Sequence, residues 1–136
     1  MKTLTDLQQR VIKQLSGGSK LNEDNASTLK DIANYGADAG FVGFTYYDDT
    51  CKFFDDNKDL IMEQLLEDRV TIGYSSLNEM LSSFKCFKDV DTYDIEAFLI
   101  NSDDENNVEQ TTLKNGLAWY ALETVAKQLE DKLKKF

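Results

Sequence analysis

The sequence predicts an all-α protein in which residues 1–136 form one compact domain, a bundle of about six helices. Three observations favour this fold. Apolar residues recur at spacings of three and four, which is the helical period. The chain has no proline, and most of its seven glycines lie between these periodic segments. Capping patterns, in which an acid follows Ser or Thr by three positions, begin at Thr3, Ser76 and Ser102.

Two helices are predicted in the N-terminal part of the chain. The first covers about residues 5–16 and ends at Gly17 and Gly18. The second covers about residues 25–35 and ends near Gly36. Their apolar faces consist of Leu4, Leu7, Val11, Ile12 and Leu15 in the first helix and Leu29, Ile32 and Ala33 in the second.

The middle of the chain contains two stretches that need not be helical. Near residues 40–46, glycines combined with Phe41 and Phe44 suit either a tight buried helix or a short strand. The sequence also allows a short extended piece near residues 70–74. The other segments have helical spacing and predict helices over about residues 46–69, 76–84 and 92–100.

The C-terminal segment, about residues 111–136, predicts a long amphipathic helix. Its apolar stripe is made of Leu113, Leu117, Ala121, Val125, Leu129 and Leu133, widened by Trp119, Tyr120 and Leu122. A domain of this size is expected to leave part of the stripe uncovered. The sequence therefore predicts a homodimer that forms through this helix.

Negative charge is concentrated in the middle of the chain. Residues 1–30 and residues 111–136 each carry a net charge of +2, whereas residues 31–110 carry −14, for a total of −10. Like charges repel in a compact state, so this excess serves either solubility or the binding of something positive. It also opposes binding to nucleic acids and anionic membranes, and we expect neither as a direct ligand.

Residue types argue against an enzyme. The chain has no histidine, which is the commonest general base and metal ligand, and it lacks CxxC and phosphate-loop motifs. The acidic run at residues 55–59 resembles the start of a calcium loop, but Leu60 and Leu66 replace the required Gly and Glu. We therefore expect no cofactor, no metal and no catalytic residue. A metal-dependent hydrolase using Asp55, Asp59 and residues 103–105 is the remaining enzymatic alternative.

No apolar run approaches the length of a membrane span, and the N-terminus lacks the pattern of a signal peptide. A cytoplasmic protein is expected. The candidate functional site is then a surface of carboxylates that meets a basic partner. Within the predicted helix over residues 46–69, acids recur at spacings of four or seven, which places neighbours about 6 Å apart on one stripe. The candidate partner-binding residues are Asp48, Asp49, Asp55, Asp56, Asp59, Glu63, Glu67, Asp68, Asp89, Asp91, Asp94, Asp103, Asp104 and Glu105.

Two segments resemble known proteins. Residues 32–54, IANYGADAGFVGFTYYDDTCKFF, and residues 115–133, NGLAWYALETVAKQLEDKL, are similar to a family of small acidic bacteriophage proteins of unknown function. More distantly, they resemble Ocr-type anti-restriction proteins. That resemblance implies an all-helical phage protein whose surface carboxylates imitate DNA phosphates. The chain ends in KLKKF, whereas Ocr-type proteins end in an acidic tail.

Charge and resemblance together favour a phage inhibitor of a bacterial DNA-targeting system, either restriction–modification or CRISPR. It would act stoichiometrically in the infected host cell, as a decoy in the basic DNA groove of a nuclease, methyltransferase or CRISPR effector. Duplex DNA carries one charge per about 1.7 Å of axis, so the excess of the middle region matches about seven base pairs. The alternative is a structural or accessory phage protein that assembles through apolar helix faces, with an acidic surface that serves only solubility.

Overall fold

The computed structural model describes residues 4–16, 20–36, 44, 47–74, 77–83 and 108–136. All regular secondary structure within these residues is helical, which confirms the predicted all-α fold. The helices are α1 (Asp6–Ser16), α2 (Glu23–Tyr35), α3 (Tyr47–Ile72), α4 (Leu77–Ser82), α5 (Val108–Gln128) and α6 (Glu130–Leu133). The helix predicted over residues 92–100 lies outside the described residues.

Side-chain caps fix the starts of the first two helices. At α1 the Thr5 amide donates to Gln8 Oε1 (3.0 Å) and the Gln8 amide donates to Thr5 Oγ1 (3.2 Å), so the capping pair lies two residues later than the predicted pair that begins at Thr3. At α2 the same exchange joins Asn22 and Asn25, at 2.8 and 2.9 Å. The buried Asn25 also donates to the Lys20 carbonyl (2.9 Å), so α2 begins two residues before the prediction.

Helix α2 ends at Gly36, as predicted. Gly36 has φ +59°, which residues with a Cβ rarely adopt, and its amide donates to the Ile32 carbonyl. The carboxylate of Glu123, on α5, lies where a Cβ of residue 36 would be. Glycine is therefore required here both for its backbone conformation and for the close approach of α5.

Helix α3 is longer than predicted and kinked. Asn57 has non-helical angles (φ −125°, ψ 19°), and its Nδ2 donates to the Phe53 carbonyl at 2.9 Å. The extended piece predicted near residues 70–74 is wrong, because α3 continues to Ile72. It ends at Gly73, with φ +92°, where the amides of Gly73 and Tyr74 both donate to the Arg69 carbonyl. The last three residues of α3 are β-branched and weakly favour a strand. Extending an existing helix by a few residues is nevertheless favourable, because the helix is already nucleated.

Helix α5 lies at the centre of the molecule and packs against α1, α2 and, most extensively, α3. Residues 117–122 are all buried, with no more than 6% of their surface exposed. A helix that is buried on every side at this level is a core helix, whereas the sequence predicted an amphipathic one. The helices around it contribute Val11, Ile12, Leu29, Ile32, Phe53, Phe54, Ile61, Leu65, Met80 and Leu81 to the core.

Aromatic contacts complete this core. The ring of Phe44 makes edge-on contacts with Phe53 and Trp119, at centroid distances of 5.4 and 5.3 Å. Of the stretch near residues 40–46, the structure describes Phe44 alone, so the choice between helix and strand lies outside the described residues.

The C-terminal helix begins earlier than predicted, at Val108, and breaks at Leu129, where ψ is near 3°. Its apolar stripe is covered by the chain itself, since Val125, Leu129 and Leu133 are at most 2% exposed. Phe136, with 47% exposed, is the large apolar residue that this end of the molecule presents to solvent. Between residues 117 and 133 the stripe is therefore covered, and the homodimer stays a prediction.

Candidate functional site

The predicted acidic site lies on α3 as far as the structure describes it. Eight of the candidate carboxylates are on this helix. Asp48, Asp55, Asp56, Asp59, Glu63 and Glu67 are exposed, and Asp49 and Asp68 are half-buried. The other candidates, Asp89, Asp91, Asp94, Asp103, Asp104 and Glu105, lie outside the described residues.

Asp55 forms an ion pair with Lys114 of α5. Its Oδ1 lies 2.9 Å from the Lys114 Nζ, and the Lys114 side chain is only 9% exposed. A lysine removed from water in this way needs a carboxylate close by. Asp55 therefore neutralises a charge inside the fold and connects α3 to α5, although half of its own side chain faces solvent.

Asp68 also has a role inside the fold. The hydroxyl of the fully buried Tyr120 donates to Asp68 Oδ2, and Gln64 Nε2 donates to its Oδ1 at 2.8 Å. Both Asp55 and Asp68 thus join α3 to side chains of the central helix. Sequence reasoning had no signal for these roles, because each partner lies more than fifty residues away.

Asp56 pairs with Lys52 one turn earlier on α3, at 2.9 Å, and both side chains are more than half exposed. Exposed pairs of this kind contribute little to stability, between about 0.2 and 1 kcal/mol. A competing cation can therefore replace Lys52 at little cost. Asp56 remains available to a basic partner, but Lys52 reduces the negative charge around it.

Apart from Asp48 and Asp49 in the first turn, the carboxylates that remain on α3 follow one line. Asp59, Glu63 and Glu67 are exposed and succeed one another at intervals of four residues, so they lie about 6 Å apart on one side of α3. Leu66 and Val70 fall on the same side, with 50% and 74% of their surface exposed. We call these five residues, Asp59, Glu63, Leu66, Glu67 and Val70, the outer face of α3.

A cleft of about 830 Å³ borders the start of this face, between α1 and the kinked turn of α3. Arg10 and Lys13 of α1 line it together with Lys58 and the carboxylates around Asn57. The Asn57 Oδ1 atom is buried and accepts no hydrogen bond within the described part of the chain. The cleft lining therefore mixes both signs of charge, whereas Glu63 and Glu67 lie outside it.

The described residues contain no group of three Asp, Glu or Cys side chains arranged to hold a metal ion. Within the same residues, no helix is both long enough and apolar enough to cross a membrane.

Comparison with curated proteins and with solved structures finds no significant match to either. A family model does match, and it covers nearly the whole chain, including α1 to α6. Over residues 5–135 the chain matches the family described as "Domain of unknown function (DUF7222)", and it belongs to that family.

Proposed function

We propose that this protein is a non-catalytic, phage-encoded inhibitor of a bacterial DNA-targeting defence system. Its α3 carboxylates would occupy the basic DNA-binding groove of a restriction–modification enzyme or CRISPR effector in the cytoplasm of the infected cell. The observation that carries this proposal is the exposed line of acids on α3. The phage origin rests on the resemblance of residues 32–54 and 115–133.

The spacing of the acids supports one strand of DNA as the object that is imitated. From Asp48 to Glu67 the helix path is about 28 Å long, at about 1.5 Å per residue. The six exposed acids along it are on average about 6 Å apart, compared with one phosphate per about 3.4 Å in a single strand and about 1.7 Å in a duplex. Two of the six, Asp55 and Asp56, are paired with lysines. The α3 acids therefore come closer to one sugar–phosphate strand than to a full duplex.

Repulsion between the acids gives independent support. Like charges four residues apart destabilise a helix by a few tenths of a kcal/mol per pair, about the size of one favourable pair. No cation of the described residues is paired with Asp59, Glu63 or Glu67. A contact outside the chain accounts for acids that the fold does not use.

A DNA-cleavage assay tests the proposal. The purified protein is titrated into a type I restriction complex, a type II endonuclease and a Cas9–guide RNA complex, each with duplex substrate. We expect at least one to be inhibited at a stoichiometric ratio, with inhibition weakening about tenfold or more between 50 and 200 mM salt. Inhibition that does not change with salt would contradict a charge-based decoy, and no inhibition of any DNA-targeting enzyme would contradict the function itself.

A matched pair of variants locates the contact. The triple replacement Asp59→Lys, Glu63→Lys and Glu67→Lys should abolish inhibition, because it turns the line of acids into a line of cations. The control replaces Asp31, Glu130 and Asp131 by Lys, which changes net charge equally at exposed positions on α2 and α6. The control should retain inhibition. Equal loss in both variants would show that only net charge matters.

The alternative role, assembly through apolar helix faces, has less support. The longest apolar stripe in the sequence is the core of the molecule, in α5 and α6. An assembly function would use the acids of α3 only for solubility and would survive the triple replacement by Lys.

A further inference from the structure

The outer face of α3 is not uniformly acidic. Leu66 and Val70 are among the most exposed large apolar residues of the described chain, and they lie one turn apart. Asp59, Glu63 and Glu67 lie next to them on the same side of the helix. Neither solubility nor the imitation of phosphates makes use of these two side chains.

Exposed apolar side chains surrounded by charges are typical of the centre and rim of a protein–protein contact. The charges also identify the kind of partner. Three carboxylates around the apolar pair repel nucleic acids and anionic lipids. A second copy of the chain would bring the same carboxylates against them, at a net charge of −10 per copy. A surface that combines apolar and basic side chains is complementary in both respects.

We propose that the outer face of α3 docks a basic amphipathic helix of a partner protein. Leu66 and Val70 contact the apolar side of that helix, and Asp59, Glu63 and Glu67 pair with the Lys and Arg side chains that flank it. Two anchors one helical turn apart match the spacing of apolar residues on such a helix. This inference rests on the proposed function for the identity of the partner. It adds that the target is held by an apolar contact as well as by charge.

Two synthetic peptides of about five helical turns test the docking directly. Both contain the same numbers of Lys and Leu. In one, Leu recurs at helical spacing on a single side, and in the other the Leu residues are distributed around the helix. Binding of each labelled peptide to the full chain is measured by fluorescence anisotropy. We expect the amphipathic peptide to bind at least about tenfold more tightly. Equal affinities would overturn the proposal, since charge alone would then explain binding.

Serine variants test whether this preference depends on Leu66 and Val70. Leu66→Ser with Val70→Ser should remove the preference and leave the affinity for the distributed peptide unchanged. Tyr35→Ser is the control, because Tyr35 is 57% exposed on α2, away from this face. A preference that survives the double replacement overturns the proposal.

The same variants separate this inference from its competitors. If the double variant and the single variant Val70→Ser both lose thermal stability, the face is packed within the chain and the proposal fails. If they instead abolish a concentration-dependent dimer in sedimentation, a second copy is the occupant and the proposal also fails. If the natural chain shows no preference between the peptides but still protects DNA from cleavage, the docking proposal fails and the proposed function stands. Retained preference without inhibition of any DNA-targeting enzyme overturns the proposed function and leaves the docking site.

Discussion

At the scale of single residues, the polar contacts between α3 and α5 distinguish acids that serve the fold from the exposed acids on the outer face of α3. Asp55 and Asp68 contact Lys114 and Tyr120, whose side chains are nearly or fully buried. The stripe over residues 46–69 was readable from spacing alone. Spacing did not show which of these acids contact the interior, because those contacts join residues that are far apart in the sequence.

Removing the Asp55 charge should destabilise the protein. Asp55→Asn removes one carboxylate from the nearly buried Lys114, at an expected cost of about 1–2 kcal/mol, reduced from the value for a fully buried pair because Asp55 is half exposed. Urea denaturation measures this free energy. Asp56→Asn is the control, since its pair with Lys52 is exposed and should contribute less than about 1 kcal/mol. Equal losses in the free energy of unfolding would show that the Asp55–Lys114 pair contributes no more than an exposed pair.

Gly36 should tolerate no side chain. Gly36→Ala forces a Cβ into a positive-φ conformation and against the Glu123 carboxylate, at an expected cost of about 1–3 kcal/mol. Gly73→Ala separates the two causes, because Gly73 also has positive φ but has open space around its Cα. Thermal unfolding should show the larger loss for Gly36→Ala. A similar loss at both positions would mean that the approach of Glu123 contributes nothing.

At the scale of helices, sequence patterns predicted most of the elements and missed where they end. Glycines marked the ends of α1 and α2, since glycine acts locally. The break at Leu129 has no local signal, because no glycine or proline is near it. The surroundings of α5 were also unpredictable, since an apolar stripe does not show how many helices will pack on it.

The central position of α5 makes a specific prediction for its small residues. Ala121 is fully buried, and Ala121→Leu adds volume where α5 meets its neighbours, so we expect a loss of about 1–3 kcal/mol. Ala33→Leu on α2 is the comparison, because Ala33 is only partly buried. Chemical denaturation of both variants gives the difference. If Ala121→Leu costs no more stability than Ala33→Leu, α5 is not closely packed around Ala121.

At the scale of the whole molecule, the net charge of −10 and the unpaired line of acids predict how stability depends on salt. Replacing Asp59, Glu63 and Glu67 by Asn, Gln and Gln removes two repulsive pairs. The variant should therefore be more stable than the natural sequence at low salt, by about 0.5–1 kcal/mol. The gain should shrink as salt screens the repulsion. Thermal unfolding at 10 and 500 mM salt measures both effects, with neutral replacements of Asp31, Glu130 and Asp131 as the control.

A protein that becomes more stable while it loses inhibition would show that these acids serve binding at the expense of folding. A variant less stable than the natural sequence would instead assign them to the fold.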